Sequence, residues 1–135
     1  PEETPLLSTI SLIAPAIAMG NRVVLIPSER FASVALELVQ VFETSDVPGG
    51  VINIVSGNKR ELAEQLAGHA EVDAMWCWAN QETVKSIETI SATDLKRLWV
   101  HHDGDRNWLD PEQGESSEFL RNATEVKNIW TPYGD

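Results

Sequence analysis

Short apolar runs alternate with stretches whose apolar residues recur at helical spacing along this 135-residue chain. Residues 23–26 are apolar without a break, and with residues 51–55, 74–78 and 95–101 they make four candidate strands. Between the first two, Phe31, Val34, Ala35, Leu38, Val41 and Phe42 follow the i, i+3, i+4, i+7 rule and predict a helix. Leu62 and Leu66 repeat the pattern in a shorter segment, and Val84 with Ile87 in another, for which Asn80 is the expected N-cap. Pro48-Gly49-Gly50 and Gly57-Asn58 supply turns at the junctions. This alternation predicts an α/β fold, a Rossmann-like parallel sheet flanked by helices. The apolar strands agree, because parallel strands are covered on both faces.

The texture changes after His102. Residues 103–118, DGDRNWLDPEQGESSE, hold six acidic side chains against one arginine and predict a solvated loop. A short helical patch, SEFLRNA, follows, and the chain closes on an alternating strand, TEVKNIWTPY. Three parts result: residues 1–102 as a partial dinucleotide-binding unit, 103–118 as an acidic loop, and 119–135 ending in a strand that extends outward.

Composition narrows the function classes. A net charge of −11 argues against nucleic acid or an anionic membrane as partner. The single cysteine, Cys77, excludes an internal disulfide framework and fits a reducing cytoplasm. The longest apolar stretch, residues 6–19, is interrupted by Ser8, Thr9, Ser11 and Pro15 and is too short for a bilayer. Glu2 and Glu3 stand where a signal peptide would be basic, and a start at Pro1 reads as a segment of something longer.

Few constellations carry chemistry. His101 and His102 are adjacent on a strand, point to opposite faces and cannot easily chelate together, so no metal site is assigned. A calcium loop fails, because Trp108 and Gly114 fall where Gly and Glu are needed. Cys77 lies inside a central apolar strand without an activating base and reads as a small hydrophobe. Trp76, Trp78, Trp99, Trp108 and Trp130 read as core or interface residues. Gly57-Asn58-Lys59-Arg60 opens a helix directly after a strand, which suits either a structural turn or a phosphate held by helix amides and two cations.

Read together, these segments resemble the cofactor-binding domain of the aldehyde dehydrogenase superfamily. PLLSTISLIAPAIAMGNRVVLIPSE resembles the family's stretch from its first helix to a Lys-Pro-Ser-Glu turn, and DVPGGVINIVSG is similar to PPGVVNVVTG. HAEVDAMWCWANQE stands where the family has a strand ending in Phe-Thr-Gly-Ser, and DLKRLWVHHDG where a strand carries Glu-Leu-Gly-Gly. TEVKNIW resembles the family's last strand, which takes part in subunit assembly. The resemblance implies NAD(P) as the parent family's cofactor. It carries over Glu29 as a ribose ligand; with Ser28, Gly57 and the Lys59 of the helix start it makes up the candidate cofactor-binding positions. It marks Val126, Ile129 and Trp130 as assembly positions.

Departures from the family pattern are extensive. The ribose-binding lysine of the turn is Ile26, and the family's later glycines are Lys59 and Ala63. Gly-Ser near the pyrophosphate is Ala79-Asn80, the general-base glutamate aligns with His101, and the oxyanion-hole asparagine aligns with Glu3. The catalytic domain with its nucleophilic cysteine is replaced by the acidic loop, so thiohemiacetal formation has no starting point. The pattern resembles the truncated second module of two-domain aldehyde dehydrogenases and implies a scaffolding or oligomerising role with no catalytic residues. The implied partners are the rest of the parent polypeptide and a second subunit. Two readings stay beside it: a module that retains weak NAD or NADP binding, and an independent enzyme with a site around His101, His102 and Asp103.

Overall fold

A computed structural model describes residues 4–131. Helix α1 (Pro5–Ala18) leads into strand β1 (Val23–Leu25), followed by α2 (Ala32–Glu43), β2 (Ile52–Ile54), α3 (Lys59–Ala67) and β3 (Ala74–Ala79). The chain continues through α4 (Gln81–Ser91), β4 (Arg97–His102), α5 (Pro111–Gly114) and α6 (Ser117–Asn122). All four predicted strands and the three helices between them form. The expected sheet is present as two parallel pairs. Val23, Val24 and Leu25 lie opposite Ile52, Asn53 and Ile54, while β3 pairs with β4 from Ala74–Arg97 to Ala79–His102. The two pairs are not hydrogen-bonded to one another.

Local chemistry sets the boundaries. Pro5 occupies the first turn of α1, where a missing N–H costs nothing, and Gly20 (φ 84°) closes it in the left-handed region. Asn21 Nδ2 then donates to Ala16 O (3.0 Å) and Ala123 O (2.8 Å), tying the end of α1 to the end of α6. As expected, Asn80 caps α4, its side chain accepting from Thr83 N at 2.9 Å.

Three apolar clusters cover the strands. Ile13, Leu25 and Ala35 join α1, β1 and α2. A second cluster packs Ala63 and Ala67 of α3 and Val84 and Ile87 of α4 on Met75, Cys77 and Ala79 of β3. The buried face of α3 is therefore alanine, and the predicted Leu62 and Leu66 sit at its margin, because small side chains let the helix approach the strand closely.

The opposite face of β3 and β4 carries Trp76, Trp78 and Trp99, which the two-residue strand period puts on one side. Their rings meet edge to face: Trp76–Trp99 at 5.1 Å, Trp78–Trp99 at 5.2 Å and Trp78–Trp108 at 5.2 Å between centroids. Phe119 of α6 completes this third cluster.

Here the sequence expectation needs three corrections. First, residues 103–118 are not simply a solvated loop. Their acidic side chains face water, but Trp108 is buried and Arg106 lies over Phe119 and Trp99, with Cζ 4.9 and 5.3 Å from the ring centres. The same guanidinium donates to Gln113 O (2.6 Å) and Glu118 Oε2 (2.7 Å). Gly114 sits so tightly on the Trp108 backbone that a Cβ would collide with its carbonyl. Second, β4 starts at Arg97 rather than residue 95. Lys96 Nζ donates to His69 O and Val72 O (2.7 Å each), which turns Leu95 fully outward. Third, no strand is assigned between Ala123 and the last described residue; an alternating segment with no neighbouring strand has nothing to pair with.

Truncating Phe119, only 2% exposed, should report directly on the aromatic cluster. Phe119→Ala is expected to cost about 3–5 kcal/mol, against about 0.5 kcal/mol or less for a surface change such as Lys127→Ala. Urea unfolding followed by circular dichroism checks both.

Candidate functional site

The predicted cofactor positions converge at the carboxyl ends of the strands, where parallel α/β sheets bind ligands. Ile26-Pro27-Ser28-Glu29 follows β1, Gly57-Asn58-Lys59 follows β2, Asn80 follows β3 and Asp103 follows β4. Their arrangement is inward. The Glu29 carboxylate accepts from the Lys59 backbone N–H at the start of α3. Asn58 Oδ1 accepts from Glu61 N at 3.0 Å, so the helix start is capped twice by the chain itself. Lys59 Nζ donates to Trp78 O at 2.8 Å and stands 3.9 Å from Asp103 Oδ1. Arg60, the second cation of the sequence-level phosphate reading, turns to Glu64 (3.0 Å) and Glu82 (2.7 Å). Of the two alternatives open in the sequence, the described contacts are those of a structural turn.

A Cβ at Gly57 would meet Leu62 Cδ1 at 3.1 Å, a tight contact that the leucine side chain would have to relieve by a small shift. Ser28 O accepts from Phe31 N at 3.3 Å, shaping the turn into α2. Ile26 is half-buried and packs on the cluster of Ala63, Met75 and Cys77, spending its side chain on the core.

The other candidate groups lie on β3 and β4. His101 stacks on Trp78 at 5.5 Å and 18°, with Nδ1 4.0 Å from Asp105 Oδ2. Its Nε2 and Trp78 Nε1 are buried with no hydrogen-bond partner among the described residues. His102 is on the other face and exposed, as the strand period requires. Among the described residues no group of three His, Cys, Asp or Glu could hold a metal ion. Burial pushes the Cys77 thiol above its ordinary pKa, only partly opposed by the positive charge of Lys59. Glu3 lies outside the described residues. Val126, Ile129 and Trp130 are 86%, 86% and 91% exposed and touch none of this site.

Two structural residues escaped the sequence reading, Arg106 and Lys96. Arg106 had a signal, as the lone cation in a run of six acids beside a tryptophan. Lys96 had none, because its burial depends on carbonyls from a different turn.

Parallel pairs joined by helical crossovers, with the predicted cofactor positions at their carboxyl ends, define a Rossmann-like α/β unit. The chain belongs to the aldehyde dehydrogenase family, whose sequence model matches residues 1–109. It is 38% identical over 135 residues to the 2-aminomuconic semialdehyde dehydrogenase of Bos taurus, covering all of this chain and 27% of that protein. It is 32% identical over 105 residues to an NADP/NAD-dependent aldehyde dehydrogenase of Escherichia coli, covering 77% of this chain and 21% of the relative. Among solved structures, indole-3-acetaldehyde dehydrogenase complexed with NAD+ superposes with a TM-score of 0.69 at 29% identity, over 74% of this chain and 20% of that one. The chain thus spans about a fifth to a quarter of the length of these relatives. No helix among the described residues is long and apolar enough to cross a membrane.

A neutral, buried Cys77 should resist alkylation. Iodoacetamide is expected to modify it about a hundredfold or more slowly in the folded chain than in urea, because reaction waits for an opening that exposes the thiolate. Mass spectrometry of timed samples measures the ratio.

Proposed function

We propose that this segment is a non-catalytic, cofactor-domain-like part of a cytoplasmic aldehyde dehydrogenase-family polypeptide, and that it serves scaffolding and assembly. Oxidation of aldehydes to acids with NAD(P) belongs, in this reading, to a catalytic module elsewhere in the parent. One observation carries it: the residues that should receive a cofactor satisfy one another. Glu29 occupies the α3 amide, Lys59 occupies a strand carbonyl, and Ile26 occupies the core. A nucleotide entering this turn would have to displace all three. The raised thiol of Cys77 supplies no ready nucleophile.

The tail supports the assembly half of the reading. Arg97 Nη1 donates to Thr124 O at 2.6 Å, which fixes the chain at that point. Beyond it Val126, Ile129 and Trp130 are presented to solvent, an apolar set suited to a partner: the catalytic module or a second subunit.

The second reading, weak nucleotide binding, is favoured by one feature: Ser28 and Lys59 both border a large cavity beside β1. Calorimetric titration with NAD and with NADP at millimolar concentration separates the two. The scaffold reading expects no heat and no shift in Tm; saturable heat for either nucleotide would replace it with the binding reading.

Assembly is tested separately. Because Phe119 is core, the cut must fall after Thr124. Removing residues 125–135, or the single change Ile129→Asp, is expected to lower the association state of the full polypeptide in light scattering while leaving Tm within a few degrees. Unchanged assembly removes the proposal.

A further inference from the structure

Asp103-Gly104 is the one place in the chain where an aspartate or asparagine precedes a glycine. Every other Asp or Asn with a successor is followed by a residue that carries a side chain. The fold puts this pair in an open turn. Strand β4 ends at His102, Asp105 N donates to His102 O at 3.2 Å, and the Asp105 carboxylate accepts from His102 N at 2.8 Å. Within that turn Gly104 has φ 90°, and a positive φ at the third position calls for glycine. Turn geometry therefore holds a glycine directly after an aspartate.

Such a pair reacts when the aspartate side chain folds back on the next amide nitrogen, and the surroundings leave that path open. Both residues are exposed, the Asp103 side chain to 53%. Apart from its chain neighbours, nothing lies within 4 Å of the place a Cβ on Gly104 would take. The flanking amides are engaged, Asp103 N with Ala79 O (3.1 Å) and Asp105 N with His102 O. Gly104 N makes no backbone hydrogen bond among the described residues. The Asp103 carboxylate is held loosely, 3.9 Å from Lys59 Nζ, and an ion pair at that exposure restrains it little.

We propose that Asp103-Gly104 is a self-modifying site, which converts to isoaspartate in the folded chain and thereby loosens the acidic segment over the aromatic face. Gly104 N, losing its proton, bonds to Asp103 Cγ while a Cγ–O bond breaks and water leaves, giving a five-membered succinimide. Water then opens the ring. Breaking the bond from nitrogen to Cγ restores aspartate; breaking the bond from nitrogen to the main-chain carbonyl carbon leaves the chain running through Cβ and Cγ, with the former main-chain carbonyl as a free carboxylate. The product is an isomer, so one water leaves and one enters, and no oxidant or reductant takes part. Its backbone is longer by one CH2 at the point where β4 hands over to the acidic segment. Asp105 then no longer meets both the N–H and the C=O of His102, and Arg106, next in the chain, is drawn from Phe119 and Trp99. The isoaspartyl carboxylate is also the substrate class of carboxyl methyltransferases that use S-adenosylmethionine. Neither nucleotide binding nor assembly enters this chemistry.

The 135-residue chain is aged for weeks at neutral pH and body temperature beside the capped peptide His-His-Asp-Gly-Asp-Arg-Asn. Isoaspartate leaves the mass unchanged, so it is read by methylation of digests with an isoaspartyl methyltransferase and labelled S-adenosylmethionine. Electron-transfer fragmentation then places it in the sequence. Conversion at residue 103 is expected within about tenfold of the peptide's rate, because an exposed turn opens at little cost. Asp103→Glu, which keeps a carboxylate but would need a six-membered ring, should accumulate none there. The aged chain should lose roughly 2–8 °C in Tm relative to fresh chain, while aged Asp103→Glu keeps its own starting value. Incubating the aged chain intact with the methyltransferase and its methyl donor returns residues to the succinimide and should recover part of that loss. Conversion about a hundredfold or more slower than in the peptide, equal label in Asp103→Glu, or an unchanged Tm in fully converted chain overturns the proposal.

Discussion

Among the described residues the two strand pairs exchange no hydrogen bond with one another, so their common orientation depends on the helices and side chains that touch both. Leu12 and Ile13 are neighbours on α1, yet Leu12 packs on the tryptophan cluster over β3 and β4 while Ile13 packs on β1 and α2. Ile26 adds a second link, leaving the end of β1 to pack on the cluster that covers β3. The substitution that removes a ribose-binding lysine in the family comparison is therefore also a structural clamp. A half-buried isoleucine contributes on the order of 1 kcal/mol through burial, and it does so beside the Lys59–Trp78 hydrogen bond that also joins the two halves.

The aromatic side works by a different balance. Trp76, Trp78 and Trp99 would leave a large apolar face on β3 and β4, and the acidic segment folds back over it, adding Trp108, while α6 adds Phe119. Arg106 makes that possible, because one cation reconciles a negatively charged stretch with a face of aromatic rings. Its guanidinium is close to the rings and paired with Glu118, so neither the charge nor the quadrupoles are left uncompensated.

What could be read in advance follows from range. The strands, the helices between them and the Asn80 cap are written in local periodicity and in residues that act on their near neighbours. The buried alanines of α3 were hidden because a helix that packs closely uses small side chains, and small side chains carry little periodic signal. Lys96 was illegible for a related reason: its carbonyl partners come from a turn more than twenty residues earlier. The tail read as a strand because alternation is local, whereas strand pairing requires a neighbour. At the candidate site the residues were legible and their relation was not. Glu29 and Lys59 look like two ligands for a nucleotide when listed along the chain, and are partners of one another in space.

That partnership changes what any anion meets at the start of α3. The Glu29 carboxylate is attached to the same chain and held within reach of the Lys59 amide, so it behaves as a tethered competitor whose effective concentration is on the order of millimolar or more. A phosphate arriving from solution is opposed by this internal ligand as well as by the charge repulsion of a carboxylate already in place. Sites of this kind are self-quenched: their apparent affinity is the intrinsic one multiplied by the fraction of time the tether is released. Selectivity then lies less in the shape of the incoming ligand than in whatever could pull a single glutamate away.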